Sequence, residues 1–176
     1  MRFHPIAHTT FFMAATALAT APALADTDQG NGFTAQVEGQ DDAITGTVRI
    51  TPTASGVMLV SVDLEGVPAG THGIHIHETG DCSASDFKSA GGHLAGDAKH
   101  GVLVEGGPHP GDLPNAEVGD DGRLVVNHFN ERLTAEQLTD DDGAAFIVHS
   151  GADDYESQPS GDAGSRIACG VFEPAS

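Results

Sequence analysis

Two histidines one residue apart, His75 and His77, are the first side chains here whose type and spacing suggest chemistry. On an extended strand their imidazoles leave the same face, while Ile74 and Ile76 point the other way, into a core. Two nitrogens on one face suit a single metal ion, although an H-x-H alone could equally be a surface pair. Further along come His93, His100 and His109, with Asp112 three residues after the last. Borderline ions such as zinc and copper take imidazole and carboxylate ligands, and tetrahedral closure accounts for three histidines with one aspartate. Any one of these histidines alone would be an ordinary solvated residue. Three of them with a carboxylate, in one glycine-rich loop, are harder to dismiss.

The elements that must position them read as strands. Ile44, Val48 and Ile50 alternate with Thr45, Thr47 and Arg49, a period of two that marks a half-buried strand. Val57 to Leu64 repeats the pattern, with Met58, Val60, Val62 and Leu64 inward. Further candidates are Phe33–Glu38, His72–His77, Arg123–Phe129, Ala144–His149 and Ile167–Phe172. Asp121-Gly122 and Asp142-Gly143 read as hairpin turns. Only Thr134–Leu138 suggests a helix, and it is brief. This predicts an all-β fold, a Greek-key antiparallel β-barrel or sandwich of about eight strands. Two stretches lack the alternation, Glu78 to Glu117 and Ser150 to Ser165. Loops this long in a compact domain are usually functional or held by a ligand, and the first carries His93, His100, His109 and Asp112.

The chain has 176 residues, enough for one domain with a core. Residues 1–25 read as a signal peptide: basic Arg2, an apolar run from Phe11 to Ala19, then Ala23-Leu24-Ala25, a small-x-small cleavage site. The run is too short to cross a bilayer. The domain therefore spans 26–176. Losing Arg2 with the leader takes the formal charge from −19 to −20. Such a surface repels nucleic acid and anionic membranes, and reads as an acidic coat for solubility. Cys82 and Cys169 are the only cysteines. In an exported protein an even pair is expected as one disulfide, and neither has a second cysteine at chelating distance for a thiolate metal site.

At this point the motifs resemble a known family. Gly70-Thr-His-Gly-Ile-His-Ile-His-Glu-Thr-Gly-Asp-Cys82 is similar to the signature of copper/zinc superoxide dismutases. So are Gly91-Gly92-His93, Lys99-His100-Gly101, His109-Pro-Gly-Asp-Leu-Pro-Asn115, Val148-His149-Ser-Gly-Ala-Asp-Asp154 and Gly164-Ser-Arg-Ile-Ala-Cys-Gly-Val171, in the family's order. The resemblance implies one copper per chain on His75, His77, His93 and His149. It implies one zinc on His93, His100, His109 and Asp112, with His93 as the shared bridge. Asp153 corresponds to a carboxylate that orients His75 and His100 from behind. Arg166 corresponds to a guanidinium beside the copper that attracts the substrate, superoxide anion. Copper cycling would convert superoxide to oxygen and hydrogen peroxide, while zinc holds the loop. His72 reads as a structural hydrogen-bonding residue, and His128 is left on the surface. The resemblance favours bacterial periplasmic members; secretion would read the same, and either a monomer or a homodimer is compatible.

Some features depart from the family. His93 to His100 is one residue shorter than in many relatives, and the loop from Cys82 to His93 is longer than in cytosolic animal members. Ser150 to Ser165 holds no lysine, only Asp153, Asp154, Glu156 and Asp162. Relatives often place steering lysines there, so long-range attraction of an anion is expected to be weak. Two other functions compete. A non-catalytic copper/zinc-binding or copper-delivery protein of this fold would usually have lost a copper ligand or the arginine. A zinc hydrolase would need an open zinc position, which three histidines and an aspartate fill.

Overall fold

The computed structural model describes Met1 and residues 32–176; apart from Met1, the expected leader lies outside the described residues. Strands form where apolar side chains alternate. β1 (Phe33–Gly39), β2 (Thr45–Pro52) and β3 (Met58–Glu65) make an antiparallel meander. Val48, Ile50, Val60, Val62 and Leu64 line its inner face, none more than 2% exposed. Each such burial contributes roughly 1.5–3 kcal/mol.

β4 (Gly70–His72), β5 (Ile74–His77), β6 (Ala116–Val118), β7 (Leu124–Asn130), β8 (Ala145–His149) and β9 (Arg166–Pro174) follow. Seven strands pair in the order β5-β8-β9-β1-β2-β3-β7, and β4 pairs with β6. After β3 the spatial neighbour is β7 rather than β4, the crossover of a Greek key. Only Gly73 separates β4 from β5, so the short β4–β6 ladder prolongs β5 and curls the long sheet toward a barrel. The all-β fold class is the one the alternation predicts.

Three local expectations need correction. Gly122 and Gly143 do turn the chain, at φ of 69° and 67°. Neither turn joins a hairpin, because β6 pairs with β4, β7 with β3, and β8 with β5 and β9. His72–His77 is one expected strand broken at Gly73, where the Ser150–Ser165 loop closes in. A Cβ there would sit 2.9 Å from that of Ala163 and 3.3 Å from that of Asp153. His128 is half-buried rather than on the surface, since β7's alternation puts it on the same side as Leu124 and Asn130; burial lowers its pKa. The brief helical stretch is a single 3-10 turn at Glu136–Leu138.

Every residue of β8 is buried. Phe146 and Val148 face the main core, whereas Ala145 and Ile147 face a smaller cluster with Phe87, Ala90 and Cys169. The long loop covers this outer face of the barrel. His75 lies opposite Ile147, and His77 opposite Ala145. The histidines thus stand on the outer face of the β5–β8 pair, beneath the loops.

Candidate metal centre

The free edge of β5 gathers the loop residues. Glu78 N–H donates to Gly92 O at 3.0 Å, Leu94 N–H to Ile76 O at 2.9 Å, and Ile76 N–H to Gly111 O at 2.8 Å. These bonds lay the loop along the strand twice, bringing His93 opposite His77 and Asp112 opposite His75. The end of β8 supplies His149. The outcome is two buried groups sharing His93: His75, His77, His93 and His149; and His93, His100, His109 and Asp112. Within each group the ligating atoms lie within 4.8 Å of one another.

Hydrogen bonds fix which nitrogen of each ring is free. His75 donates from Nε2 to Asp153 Oδ2 at 2.7 Å. His77 donates from Nδ1 to Gly91 O at 3.1 Å, and His149 from Nδ1 to Gly164 O at 3.4 Å. The opposite atoms, His75 Nδ1, His77 Nε2 and His149 Nε2, are buried without a partner among the described residues, as is His93 Nε2. Four unpartnered buried nitrogens in one place carry a desolvation cost of about 1–3 kcal/mol each. A cation with nitrogen ligands removes that cost, so the donor set fits a metal.

In the second group, Nδ1 of His93, His100 and His109 lies 3.0, 3.0 and 3.2 Å from the same Asp112 oxygen, Oδ1. One carboxylate oxygen cannot satisfy three imidazole donors well. Three nitrogens and an oxygen around a common point instead make a four-ligand site that fits zinc. Backbone N–H groups of Gly101 and His109 hold Asp112 Oδ2 at 2.9 and 3.0 Å.

Asp153 joins the groups. While Oδ2 accepts from His75, Oδ1 accepts from His100 Nε2 at 3.0 Å and from the Tyr155 backbone N–H at 2.6 Å. Asn115 holds Asp153 in place, donating from Nδ2 to its carbonyl and accepting its N–H, at 2.8 and 2.9 Å. His72 contacts the carbonyls of His149 and Pro68 at 2.7 and 2.8 Å, a structural bridge.

Electrostatics match metal-ready ligands. Burial pushes His77 down to about 2, helped by the charges of His93 and Arg166. Burial also lowers His149 to about 3 and His93 to about 4. It lowers His75 despite the opposing pull of Asp153. Burial works against ionising Asp112, but hydrogen bonds from His109, His93 and the Gly101 N–H overcome it and hold the carboxyl well below its usual range. At neutral pH the four buried histidines of the first group are neutral and Asp112 is charged.

A cavity of about 410 Å³ opens onto the first group, lined by His77, His93, His149, Arg166, Asp86 and Lys88. Arg166 is held by carbonyls, Nη1 donating to Phe87 O at 2.7 Å and Nη2 to Gly91 O at 2.6 Å. The Cys82–Cys169 disulfide ties the same loop to β9. The sequence offered no signal for Asp86 or Lys88 and held Asn115 in a motif without showing its clamp, because lone polar loop residues have no periodicity. A larger hollow over β1 and β9 is lined by Gln36, Glu38 and Glu173 and contains none of the grouped histidines.

The profile of the family described as copper/zinc superoxide dismutase (SODC) matches residues 44–172. Cu-Zn superoxide dismutase 2 of Aquifex aeolicus is 40% identical over 145 residues, 78% of this chain and 84% of that one. Cu-Zn superoxide dismutase of Caulobacter vibrioides is 39% identical over 148 residues, covering 80% and 84%. A superoxide dismutase-like protein from Bacillus subtilis, solved by crystallography, superposes with a TM-score of 0.72 at 36% identity, over 78% of this chain and 96% of that one. Fold, paired histidine groups and profile agree: the chain belongs to the copper/zinc superoxide dismutase family.

Proposed function

We propose that this chain performs its family's reaction, converting two superoxide anions and two protons to oxygen and hydrogen peroxide. His75, His77, His93 and His149 hold copper; His93, His100, His109 and Asp112 hold zinc. Copper bound there would supply the one-electron couple that the reaction needs. The observation that carries the reading is the set of four buried, unpartnered nitrogens converging beside the second group through His93.

The protein's own residues do the rest. Arg166 holds its guanidinium at the cavity beside His77 and His149, where it draws in and orients an anion. Two carbonyl contacts fix that geometry before substrate arrives. His93 lines the cavity with Nδ1 turned to Asp112, so its free Nε2 is the atom at which this ring would hold and release a proton. Asp153 orients His75 and His100 through its two oxygens. Zinc, being redox-silent, holds the loop and the shared imidazole.

We place the mature chain in the periplasm. A leader over 1–25 and a disulfide, which persists in oxidising compartments, support that address. Cell fractionation with detection of cleavage after Ala25 checks it; an uncleaved cytoplasmic chain contradicts it.

Metal analysis and titration of the purified protein test the metal assignment. One copper and one zinc per chain are expected, with His149→Ala losing copper and keeping zinc. Loss of both metals in equal measure, or uptake of neither, would contradict the division into two sites.

A further inference from the structure

Gln158 belongs to neither histidine group, yet its side-chain amide grips the backbone of His100. His100 N–H donates to Gln158 Oε1 at 3.0 Å, and Gln158 Nε2 donates to His100 O at 2.9 Å. These bonds span 58 residues and join the two long loops. Nε2 also donates to Glu156 O at 2.9 Å, which sets the amide's orientation from within its own loop. An amide is the one side-chain type that presents a donor and an acceptor in the fork needed to match one residue's N–H and C=O.

The two ends of this grip have different duties. His100 reaches Asp112 with Nδ1 and Asp153 with Nε2. Filling the second group with a cation therefore fixes the His100 ring, and its backbone with it. Gln158 is followed directly by Pro159 and Ser160, both of which line the cavity in front of the first group. Neighbouring contacts run the same way. Leu103 N–H donates to Tyr155 O at 3.3 Å, and Gly101, at φ of 90°, leaves no room for a Cβ against the Tyr155 carbonyl.

We propose that Gln158 is a positioning residue, the latch that couples occupancy of the His93–His100–His109–Asp112 group to the wall of the substrate cavity. The latch rests on the two-metal reading above and adds a second path between the sites, separate from Asp153. Through it, zinc does more than fix its own ligands. It stiffens the segment carrying Pro159 and Ser160, so zinc occupancy firms the wall of the cavity.

The test uses the full protein loaded with copper alone and with copper plus zinc. Hydrogen exchange is followed at the His100 amide and across 156–161, and zinc release to an excess of the chelator pyridylazoresorcinol is timed. In the parent, zinc slows exchange across 156–161. In Gln158→Ala that zinc-dependent slowing is lost, the His100 amide exchanges freely, and zinc leaves about tenfold faster, the effect of two lost hydrogen bonds. Copper content is unchanged. Gln158→Glu keeps the acceptor for His100 N–H but loses the donor to His100 O, so it falls between the two. Zinc-dependent protection and zinc release equal to the parent's in both variants would overturn the latch, whatever the dismutase rate. A parent that takes up no zinc would overturn the two-metal reading together with it.

Discussion

At the scale of single residues, the site is built by giving each imidazole one committed nitrogen and one free nitrogen. His75 gives Nε2 to Asp153, and His77 and His149 give Nδ1 to carbonyls. Each remaining nitrogen is buried with no partner among the described residues. Changes at ligand residues and at substrate-facing residues should have separate consequences. Arg166→Gln should keep copper and slow dismutation by about one to two orders of magnitude, as expected for removing a fixed charge from the reacting anion. Metal analysis beside a rate measurement checks this; loss of copper would mean that Arg166 supports the site rather than the substrate.

Protonation gives a second prediction at this scale. Histidines titrate near 6.5 in an unfolded chain, whereas burial holds His93 near 4, His149 near 3 and His77 near 2 in the metal-free fold. Below 6.5 the unfolded chain takes up protons that the native chain refuses, so native stability falls as pH drops toward 4. Urea midpoints of the metal-free protein should be lower at pH 5 than at pH 7.5. A midpoint equal or higher at pH 5 would contradict the buried, neutral state of these rings. The types and the H-x-H spacing of these ligands were legible in the sequence. Their grouping with Asp112 was legible too; that one oxygen, Oδ1, meets all three rings was not, since it depends on a loop laid twice along β5.

Elements set where those residues meet. β5 offers its outer face to the site because Ile74 and Ile76 take the inner one, and the loop between β5 and β6 covers it. Gly73 admits the second loop. Gly73→Ala should push a methyl into Ala163 and cost about 1–3 kcal/mol, read from thermal or urea unfolding; no loss would mean the loop can retreat freely. The disulfide closes 87 residues, so Cys82→Ser with Cys169→Ser should cost about 4–5 kcal/mol by loop entropy. Losing the disulfide also loosens the loop that anchors Arg166 through Phe87 and Gly91. Strand positions were readable because burial imposes a period of two. Strand partners were not: Asp121-Gly122 and Asp142-Gly143 look like hairpins, yet a Greek key sends their flanking strands to other neighbours. Clamps such as Asn115 on Asp153 join residues 38 apart by single side chains and leave no periodic trace.

At the scale of the whole molecule, an anion must reach copper across a chain of formal charge −19. The second loop contributes Asp153, Asp154, Glu156 and Asp162 and no lysine. Lys88 stands at the cavity, but Asp86 Oδ2 lies 2.8 Å from its Nζ and offsets its charge. Arg166 and the metals therefore act locally, against a repulsive background. Dismutation should vary little with salt or rise as salt screens that background, whose range is about 10 Å at 0.1 M. A steep fall in rate with added salt would contradict this. Catalysis requires both sites together. Superoxide decay is followed in real time with the protein reconstituted with one equivalent each of copper and zinc, against the same protein with zinc alone. Rapid catalytic decay with both metals, absent with zinc alone, is predicted. A chain that binds one copper and one zinc yet leaves superoxide to decay at its spontaneous rate would contradict the account.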